Sequence, residues 1–272
     1  MIRGNIPHKK ITFPAGEMHV VLDLHSDEHL PNVTIEWNFE NNDELVELML
    51  YCDALRQTKY WLSVLTIPYF PFSRQDRVAV PGDAFSLKVI SDIVNSLNAD
   101  KVITYDAHSD VLPALVKNLH VIKQEDIFAP MINAMGDKIS LISPDGGALK
   151  KIYKLAAKIT SPVEVIECSK YRDPKTGDIR HTNIFVGQGW LNGSTCVIVD
   201  DICDGGKTFV EIAKTIREHH SPKKIILMVT HGLFTKGTGV FSGLIDEIYT
   251  RDGRYATYNP NLIKEKNERI SS

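Results

Sequence analysis

Short apolar runs rich in β-branched residues alternate along the chain with longer amphipathic stretches of helical period. The runs predicted as strands are residues 19–24, 33–37, 61–67, 101–105, 139–142, 163–167, 195–199 and 224–229. Several of them are almost continuously apolar, which is typical of strands covered on both faces of a sheet. The predicted helices include residues 42–58, 85–97, 147–159 and 208–219. This alternation predicts an α/β fold whose parallel strands are joined by right-handed crossovers.

The pattern of strand, loop, helix and strand occurs twice, in residues 61–106 and again in residues 139–230. We therefore expect two tandem lobes, residues 1–126 and 127–272, each a mostly parallel sheet flanked by helices. The opening segment, through about Trp37, is predicted to form a hairpin-like pair of strands. Ligands of open parallel sheets bind beyond the carboxyl ends of the strands, so the polar residues that follow the strands are the candidates for function.

Composition narrows the class of protein. A length of 272 residues suits one large or two medium domains, and a net charge of −3 supplies no global basic field for nucleic acid or an anionic membrane. No apolar run approaches the roughly 20 residues that a membrane span needs. The cysteines form no C-x-x-C pair, which favours reduced, buried thiols and a cytoplasmic protein. They are Cys52, Cys168, Cys196 and Cys203.

The strongest chemical signal lies in residues 197–208, where an apolar strand ends in Asp200 and Asp201 and a glycine-containing turn leads into a helix. Backbone N–H groups at the helix start, with Lys207 and Thr208, would form a phosphate cradle. Carboxylates beside such a cradle suit the hydroxyls of a sugar phosphate or a metal bound to them. The candidate residues are Asp200, Asp201, Asp204, Gly205, Gly206, Lys207 and Thr208.

Two other interpretations of this segment agree less well with its residues. A simple turn with a helix cap would not need two adjacent acids directly after a buried strand. A nucleotide P-loop would need a glycine five residues before Gly206, where this chain has Asp201, so the P-loop interpretation fails.

The segment resembles the ribose-phosphate loop of type I phosphoribosyltransferase-fold proteins, and other motifs narrow the resemblance. Residues 67–77 are similar to the ATP-binding stretch of ribose-phosphate pyrophosphokinases (PRPP synthetases), and residues 104–110 to their metal-and-ATP histidine motif. Residues 143–147 and 230–234 are similar to their second metal motif and their late strand-end signature. The order of the motifs is that of the family. The resemblance implies two phosphoribosyltransferase-like lobes, the first binding ATP and the second ribose phosphate.

The first lobe carries the ATP-binding candidates. A planar guanidinium such as Arg74 can stack on adenine or fork onto phosphate, and the amide of Gln75 can bond the nucleotide. An exposed loop arginine beside an acid is the alternative. Phe13 resembles a stacking residue of the family's adenine-contacting loop, although a buried core Phe explains it equally well. The resemblance implies ATP contacts from Phe13, Glu17, Arg74, Gln75, Asp76, Arg77 and His108.

His108 and Asp145 are the metal-binding candidates. Asp106 and Asp110 flank His108 and would orient its ring, while a structural histidine is the alternative. Asp145 follows a strand and offers the hard oxygen that Mg²⁺ prefers, while an Asp-Gly-Gly turn former is the alternative. The resemblance implies that both residues lie near Mg²⁺, with ATP as co-substrate.

Residues 169–177 resemble the family's mobile catalytic loop, in which Lys170 and Arg172 would stabilise the transferred group. In an extended segment these two residues point the same way. A solvated surface loop is the alternative. The implied reaction moves the β,γ-pyrophosphoryl group of ATP to the C1 hydroxyl of ribose 5-phosphate, giving PRPP and AMP. The family's Phe13 loop reaches the ATP site of a neighbouring subunit, so a homo-oligomer is expected.

The ribose-phosphate loop departs from the family's usual Asp-Thr-Gly-Gly-Thr, because Gly205 and Lys207 replace the first Thr and the second Gly. This departure keeps other functions open. The alternatives are the same transfer to a related acceptor such as ADP-ribose, a nucleobase phosphoribosyltransferase, and a non-catalytic regulatory homologue.

Overall fold

The computed structural model describes residues 1–24, 32–136, 138–172, 179–184, 186–187, 189–251 and 256–257, with the backbone alone for 170–172, 179–183 and 256–257. The chain divides into two compact units, Met1–Lys123 and Gln124–Ser272. The division falls where the first helix of the second unit begins. In the described residues, no helix combines the length and the apolar character needed to cross a bilayer.

The first unit is a five-stranded sheet with a separate hairpin. Its strands are β1 (Ile2–Gly4), β2 (His8–Thr12), β3 (Met18–Leu22), β4 (Asn32–Trp37), β5 (Trp61–Thr66), β6 (Lys101–Tyr105) and β7 (Leu119–Ile122). Its helices are α1 (Asp43–Arg56), α2 (Ser86–Ser96) and α3 (Val111–Leu115). The sheet order is β1-β4-β5-β6-β7, and only β1 runs antiparallel to its neighbour.

The opening hairpin differs from the predicted one. The structure pairs β2 with β3, whereas β4 lies inside the parallel sheet between β1 and β5. The predicted hairpin-like pair is thus present as β2 and β3, but the predicted strand at residues 33–37 is not part of it. Val33, Ile35 and Trp37 alternate with exposed residues and are fully buried, so their pattern marks a strand with one covered face. Alternation identifies the covered face of a strand but does not identify its partner.

The hairpin is fastened to α1 by polar bonds around a buried carboxylate. Glu47 lies 2.8 Å from His8 Nε2 and accepts a hydrogen bond of 2.9 Å from Lys10. Burial raises the pKa of Glu47, but the bonds from His8 and Lys10 together outweigh it and leave the pKa below its ordinary value. The Tyr51 hydroxyl donates to the Ile6 carbonyl at 2.6 Å. These bonds satisfy the groups that the packed hairpin removes from water.

The second unit is a seven-stranded sheet. Its strands are β8 (Ile139–Ser143), β9 (Val163–Arg172), β10 (Ile179–Ile184), β11 (Thr195–Cys203), β12 (Lys224–Gly232), β13 (Glu247–Thr250) and β14 (Ala256–Thr257). Its helices are α4 (Gln124–Asn133), α5 (Leu149–Ala156) and α6 (Lys207–His219), with a 3₁₀ turn at Thr238–Phe241. The order is β10-β9-β8-β11-β12-β13-β14, with parallel pairing from β9 to β13 and antiparallel edges.

The second sheet is covered on both faces, as its almost continuously apolar strands predict. On β12, Leu227 belongs to one core cluster together with Ile212 of α6. Its neighbour Met228 belongs to the opposite cluster, which includes Phe128 of α4 and Ile152 of α5. Because successive strand residues face opposite sides, each face buries its own helices. This arrangement confirms the predicted α/β class of parallel sheets flanked by helices.

Strands β9, β11 and β12 run further than predicted and include residues of the candidate motifs, with β12 continuing through Gly232. β11 continues through Asp200 and Asp201, and β9 continues through Lys170 and Arg172. The predicted loop is thus a strand paired with β10 as far as Arg172. The side chains of Lys170 and Arg172, and residues 173–178 as a whole, lie outside the described residues.

The four cysteines are buried free thiols. Burial raises the pKa of Cys52 to about 12 and that of Cys196 to about 11. Burial also raises the pKa of Cys203 to about 12, helped by the neighbouring charges of Asp200 and Asp204. All three groups are therefore protonated and unreactive at neutral pH.

Candidate functional site

Asp201 is a nearly buried carboxylate paired with a lysine from another element. Its residue is 8% exposed, and its Oδ2 accepts a hydrogen bond of 3.0 Å from Lys151 Nζ of α5. Val199 and Val197, two and four positions earlier on β11, pack in the core cluster that contains residues of α5. Strand alternation therefore directs Asp201 toward the same helix. Lys151 was missed by the sequence analysis, because nothing in the local pattern links α5 to the end of β11.

Asp200 has different surroundings although it is the adjacent residue. It is half-buried, and its Oδ1 accepts the backbone N–H of Asp201 at 2.9 Å. Its charge also acts on the Cys203 thiol. The sequence analysis treated Asp200 and Asp201 as one acidic pair following the strand. The structure places both inside the strand and gives each carboxylate its own partners.

The turn after β11 requires glycine at one position. Gly206 has φ +78°, and a Cβ there would lie 2.6 Å from Cζ of Phe241. Both the left-handed backbone and the nearby ring exclude a side chain. At Gly205 a Cβ would instead meet the aliphatic stem of Lys236 at 3.5 Å, which is an ordinary contact. Of the two glycines, only Gly206 is required by geometry.

The start of α6 suits an anion. Gly206 is its N-cap, and the described first turn contains no acidic residue and no side-chain cap. The N–H groups of Phe209 and Val210 both donate to the Gly206 carbonyl at 3.1 Å. Lys207 is exposed and Thr208 is half-buried. Amide groups and the positive end of the helix dipole at such a terminus favour phosphate.

The segment after β12 closes one side of this turn. Backbone N–H groups of Leu233 and Phe234 donate to the Cys203 carbonyl at 2.9 and 3.1 Å. Thr235 donates from Oγ1 to Asp204 Oδ1 at 2.7 Å, so Asp204 braces the turn. A Cβ at Gly232 would lie 2.1 Å from the ring of Phe234, which makes glycine necessary there too. Residues of the 230–234 motif therefore hold the turn after β11 in place, and Thr235 adds a further bond to it.

Asp145 shapes the turn between β8 and α5. Its Oδ1 accepts the backbone N–H groups of Gly147 and Ala148 at 3.0 and 3.2 Å. The Ser143 hydroxyl donates to the Asp145 carbonyl at 2.7 Å. This is the turn-forming role that the sequence analysis held as the alternative to metal binding. Asp145 thus fixes the start of the helix that carries Lys151.

In the first unit, a buried carboxylate joins two loops that follow β5 and β6. Asp76 is 6% exposed and accepts bonds from Arg77 Nε at 2.8 Å and Nη2 at 3.3 Å. The Arg77 bond lowers the pKa of Asp76 and outweighs burial, with further lowering from a bond to Ser109 and the charge of His108. The side chains of Arg74, Gln75 and Arg77 are exposed. Asp76 is therefore a support within the loops that present these groups.

His108 is exposed on the loop after β6. The charge of His108 lowers the pKa of Asp76. The sequence pattern did not connect these two residues. Asp106 is 3% exposed and its N–H donates to the Ile122 carbonyl at 2.8 Å. Asp106 has φ +41° and Phe72, in the other loop, has φ +59°. Left-handed non-glycine residues are uncommon and cluster at functional sites.

The tip of the β2–β3 hairpin presents Phe13 to solvent. Phe13 is 47% exposed, so the alternative of a buried core Phe is wrong. Its N–H donates to the Glu17 carbonyl, and the N–H of Gly16 donates to the Phe13 carbonyl, each at 2.8 Å. Glu17 is also exposed.

The described residues contain no group of three or more His, Cys, Asp or Glu side chains placed to hold a metal ion.

Comparison with known proteins adds two domain matches in sequence order. Residues 7–97 match the N-terminal domain of ribose phosphate pyrophosphokinase, and residues 121–240 match the phosphoribosyl transferase domain. The chain belongs to the ribose-phosphate pyrophosphokinase family. The resemblance drawn from the motifs is therefore confirmed.

Relatives within the ribose-phosphate pyrophosphokinase family are distant. A protein so named from Mycoplasma pneumoniae is 30% identical over 196 residues, which is 71% of this chain and 58% of the relative. Another from Thermosipho africanus is 29% identical over 217 residues, which is 78% of this chain and 66% of the relative. The matched region spans about three fifths to two thirds of these relatives.

A solved structure supports the fold. Phosphoribosylpyrophosphate synthetase from Mycobacterium smegmatis matches with a TM-score of 0.74 and 19% identity, covering 98% of this chain and 91% of that one. At this identity the likeness shows the shared fold. It agrees with the predicted class of two phosphoribosyltransferase-type sheets.

Proposed function

We propose that the chain is a ribose-phosphate diphosphokinase, which transfers the β,γ-pyrophosphoryl group of ATP to the C1 hydroxyl of ribose 5-phosphate. The products are PRPP and AMP. The observation that carries this proposal is the glycine turn and open helix start directly after Asp200 and Asp201, in a chain with both family domains. A phosphate cradle beside two differently held carboxylates suits a pentose phosphate.

In the proposed reaction the second unit holds the sugar. The 5-phosphate binds to the turn and helix start at residues 204–208, where amide groups and Lys207 offset its charge. Asp200 and Asp201 accept hydrogen bonds from the ribose hydroxyls. Lys170 and Arg172 stabilise the negative charge that builds on the β-phosphoryl oxygens, and positioning with charge stabilisation supplies most of the catalysis in such transfers.

The first unit holds ATP in this proposal. Phe13 stacks on adenine, Glu17, Arg74, Gln75 and Arg77 contact the nucleotide, and Asp76 keeps the loop of Arg77 in place. Mg²⁺ bound to ATP phosphates would neutralise charge, and it needs only one or two protein ligands. His108 offers an exposed nitrogen, and Asp145 offers a carboxylate of which one oxygen caps a turn.

Phosphorus NMR of the purified protein with ATP, ribose 5-phosphate and Mg²⁺ tests the proposal. We expect signals of AMP and PRPP to appear together in equal amounts. Omission of ribose 5-phosphate, or of Mg²⁺, serves as the control and should abolish both signals. Release of ADP or inorganic phosphate in place of AMP and PRPP would contradict the proposed reaction.

A second acceptor is favoured by one observation. Lys207 stands at the start of α6, and the stem of Lys236 lies over Gly205, so two lysines add positive charge at the phosphate turn. This charge suits an acceptor with a larger phosphate group, such as ADP-ribose. Comparing AMP release with ribose 5-phosphate and with ADP-ribose decides between them by the ratio of kcat/KM.

The proposed setting is the cytoplasm, where buried free thiols such as those of this chain persist. A homo-oligomer is proposed as well, on the exposure of Phe13 at the hairpin tip. Light scattering measures the oligomeric state, and a monomer at enzyme concentrations used in the assay would contradict this part.

A further inference from the structure

We infer that Lys151 is a positioning residue for the sugar site, holding the Asp201 carboxylate in the orientation that accepts a ribose hydroxyl. This inference rests on the proposed function. It adds a residue from α5, which lies outside the motifs that carried the family resemblance.

The Lys151–Asp201 bond joins two elements that are distant in sequence. The two residues are 50 positions apart, and Nζ lies 3.0 Å from Oδ2. The Lys151 side chain is 28% exposed and that of Asp201 is 11% exposed. A pair this sheltered is screened less by water and salt than the exposed pairs of the surface. The bond therefore has a defined geometry and a lasting effect on the carboxylate.

Both partners are held by their own elements. Lys151 follows the turn that Asp145 fixes through the N–H groups of Gly147 and Ala148. The next residue, Ile152, is fully buried in the core of the second unit. Asp201 lies on β11, the central strand of the sheet, which is paired with β12 on both sides of it, at Asp200 and Ile202. The lysine therefore reaches the carboxylate from a fixed helix.

The Lys151 bond restricts the terminal torsion of the Asp201 carboxylate. Rotation about the last bond of an aspartate is broad, so a fixed donor on Oδ2 selects where Oδ1 points. Removing the cation would also take away a positive charge 3.0 Å from a nearly buried carboxylate, which favours rotation or protonation. Either change weakens acceptance of a hydrogen bond from a sugar hydroxyl. Binding of ATP makes no use of this carboxylate.

The test begins with three single variants, compared by steady-state kinetics. Lys151→Met removes the ammonium and keeps the stem, Lys151→Arg keeps the charge, and Lys154→Met is the matched control on the exposed side of α5. Lys151→Met should raise KM for ribose 5-phosphate roughly tenfold, the size expected for losing one charge-assisted bond to a binding group. The KM for ATP should stay within about twofold, and Lys151→Arg should restore most of the loss.

Asp201→Asn completes a double-mutant cycle. If Lys151 acts through Asp201, adding Lys151→Met to Asp201→Asn should change KM for ribose 5-phosphate by less than about twofold. The double variant also removes both charges together, so it folds without an uncompensated buried ion. Additive effects of the two substitutions would overturn the inference. Equal rises in KM for both substrates, or a Lys151→Met variant indistinguishable from Lys154→Met, would overturn it too.

Wild-type turnover separates this inference from the proposed function. Absence of PRPP formation by the wild-type protein overturns the proposed function and the inference with it. Wild-type turnover together with an unaffected Lys151→Met variant overturns the inference alone.

Discussion

The two units present different chemical groups at their candidate sites. In the first unit, exposed cationic side chains stand on loops braced by the buried Asp76, with left-handed backbone at Phe72 and Asp106. In the second, carboxylates lie within a strand, and a left-handed glycine, Gly206, opens a helix start. The first unit presents charged side chains, whereas the second presents backbone amides and two held carboxylates.

This difference predicts which parts of each site tolerate amino-acid substitution. A site made of loop side chains loses binding when the buried residue that fixes the loops is removed, because the loops then lose their geometry. A site made of backbone fails when a side chain is introduced where only glycine fits. The contrast predicts that mutations in the first unit act on ATP and mutations in the second act on the sugar or on the chemical step.

The largest expected effect is at Lys170 of β9. Lys170→Ala should lower kcat at least a hundredfold while KM for ATP changes little, because a preorganised cation on the transferring group supplies about 3–4 kcal/mol of barrier lowering. Steady-state kinetics measures both constants. Lys214→Ala, on the exposed side of α6, is the control. Turnover near that of the wild type would show that the catalytic assignment of Lys170 is wrong.

Gly206→Ala tests the backbone character of the second site. The left-handed φ and the close Phe241 ring should together cost about 2–4 kcal/mol of unfolding free energy. Urea denaturation measures the loss. Gly205→Ala is the matched control and should cost less than about 1 kcal/mol, since the new methyl meets only the flexible stem of Lys236. Equal losses at the two glycines would contradict the geometry of the turn.

Asp76→Asn tests the brace of the first unit. Loss of the charged bond to Arg77 and of the link to Ser109 should raise KM for ATP roughly tenfold. The KM for ribose 5-phosphate should remain close to that of the wild type. Asp92→Asn, at an exposed ion pair on α2, provides the control. A larger effect on ribose 5-phosphate than on ATP would contradict the division of labour between the units.

The smallest expected effect is a pH dependence of the contribution that Asp76 makes to the free energy of unfolding. The folded pKa of Asp76 lies below its ordinary value, so its contribution is fully present above the unfolded pKa, about 4. The contribution is lost as pH falls through the folded pKa. The difference in unfolding free energy between wild type and Asp76→Asn should therefore be constant near pH 7 and shrink below pH of about 4. A difference that grows on acidification would contradict the depressed pKa.

Much of the fold followed from the sequence, because apolar runs and helical periods are local signals. The boundaries of β6 match the predicted residues, and helix α6 begins one residue earlier than predicted. A hairpin in the opening segment was predicted, but its strand β2 was missed, since β2 has only one residue that is not exposed and gives no apolar signal. The extension of β9 through Arg172 was missed because polar residues in an edge-side strand look like a loop.

The class of the sheets, the family and the glycine-containing turn after β11 could all be predicted, because each depends on residues close together in the chain. The pairing of each carboxylate with its cationic side chain is visible only in the tertiary structure. Asp76 links two loops and Lys151 reaches Asp201 from another helix, and such pairings depend on how elements pack. Packing is set by the whole core of a unit, whereas a motif carries only the order of its own residues.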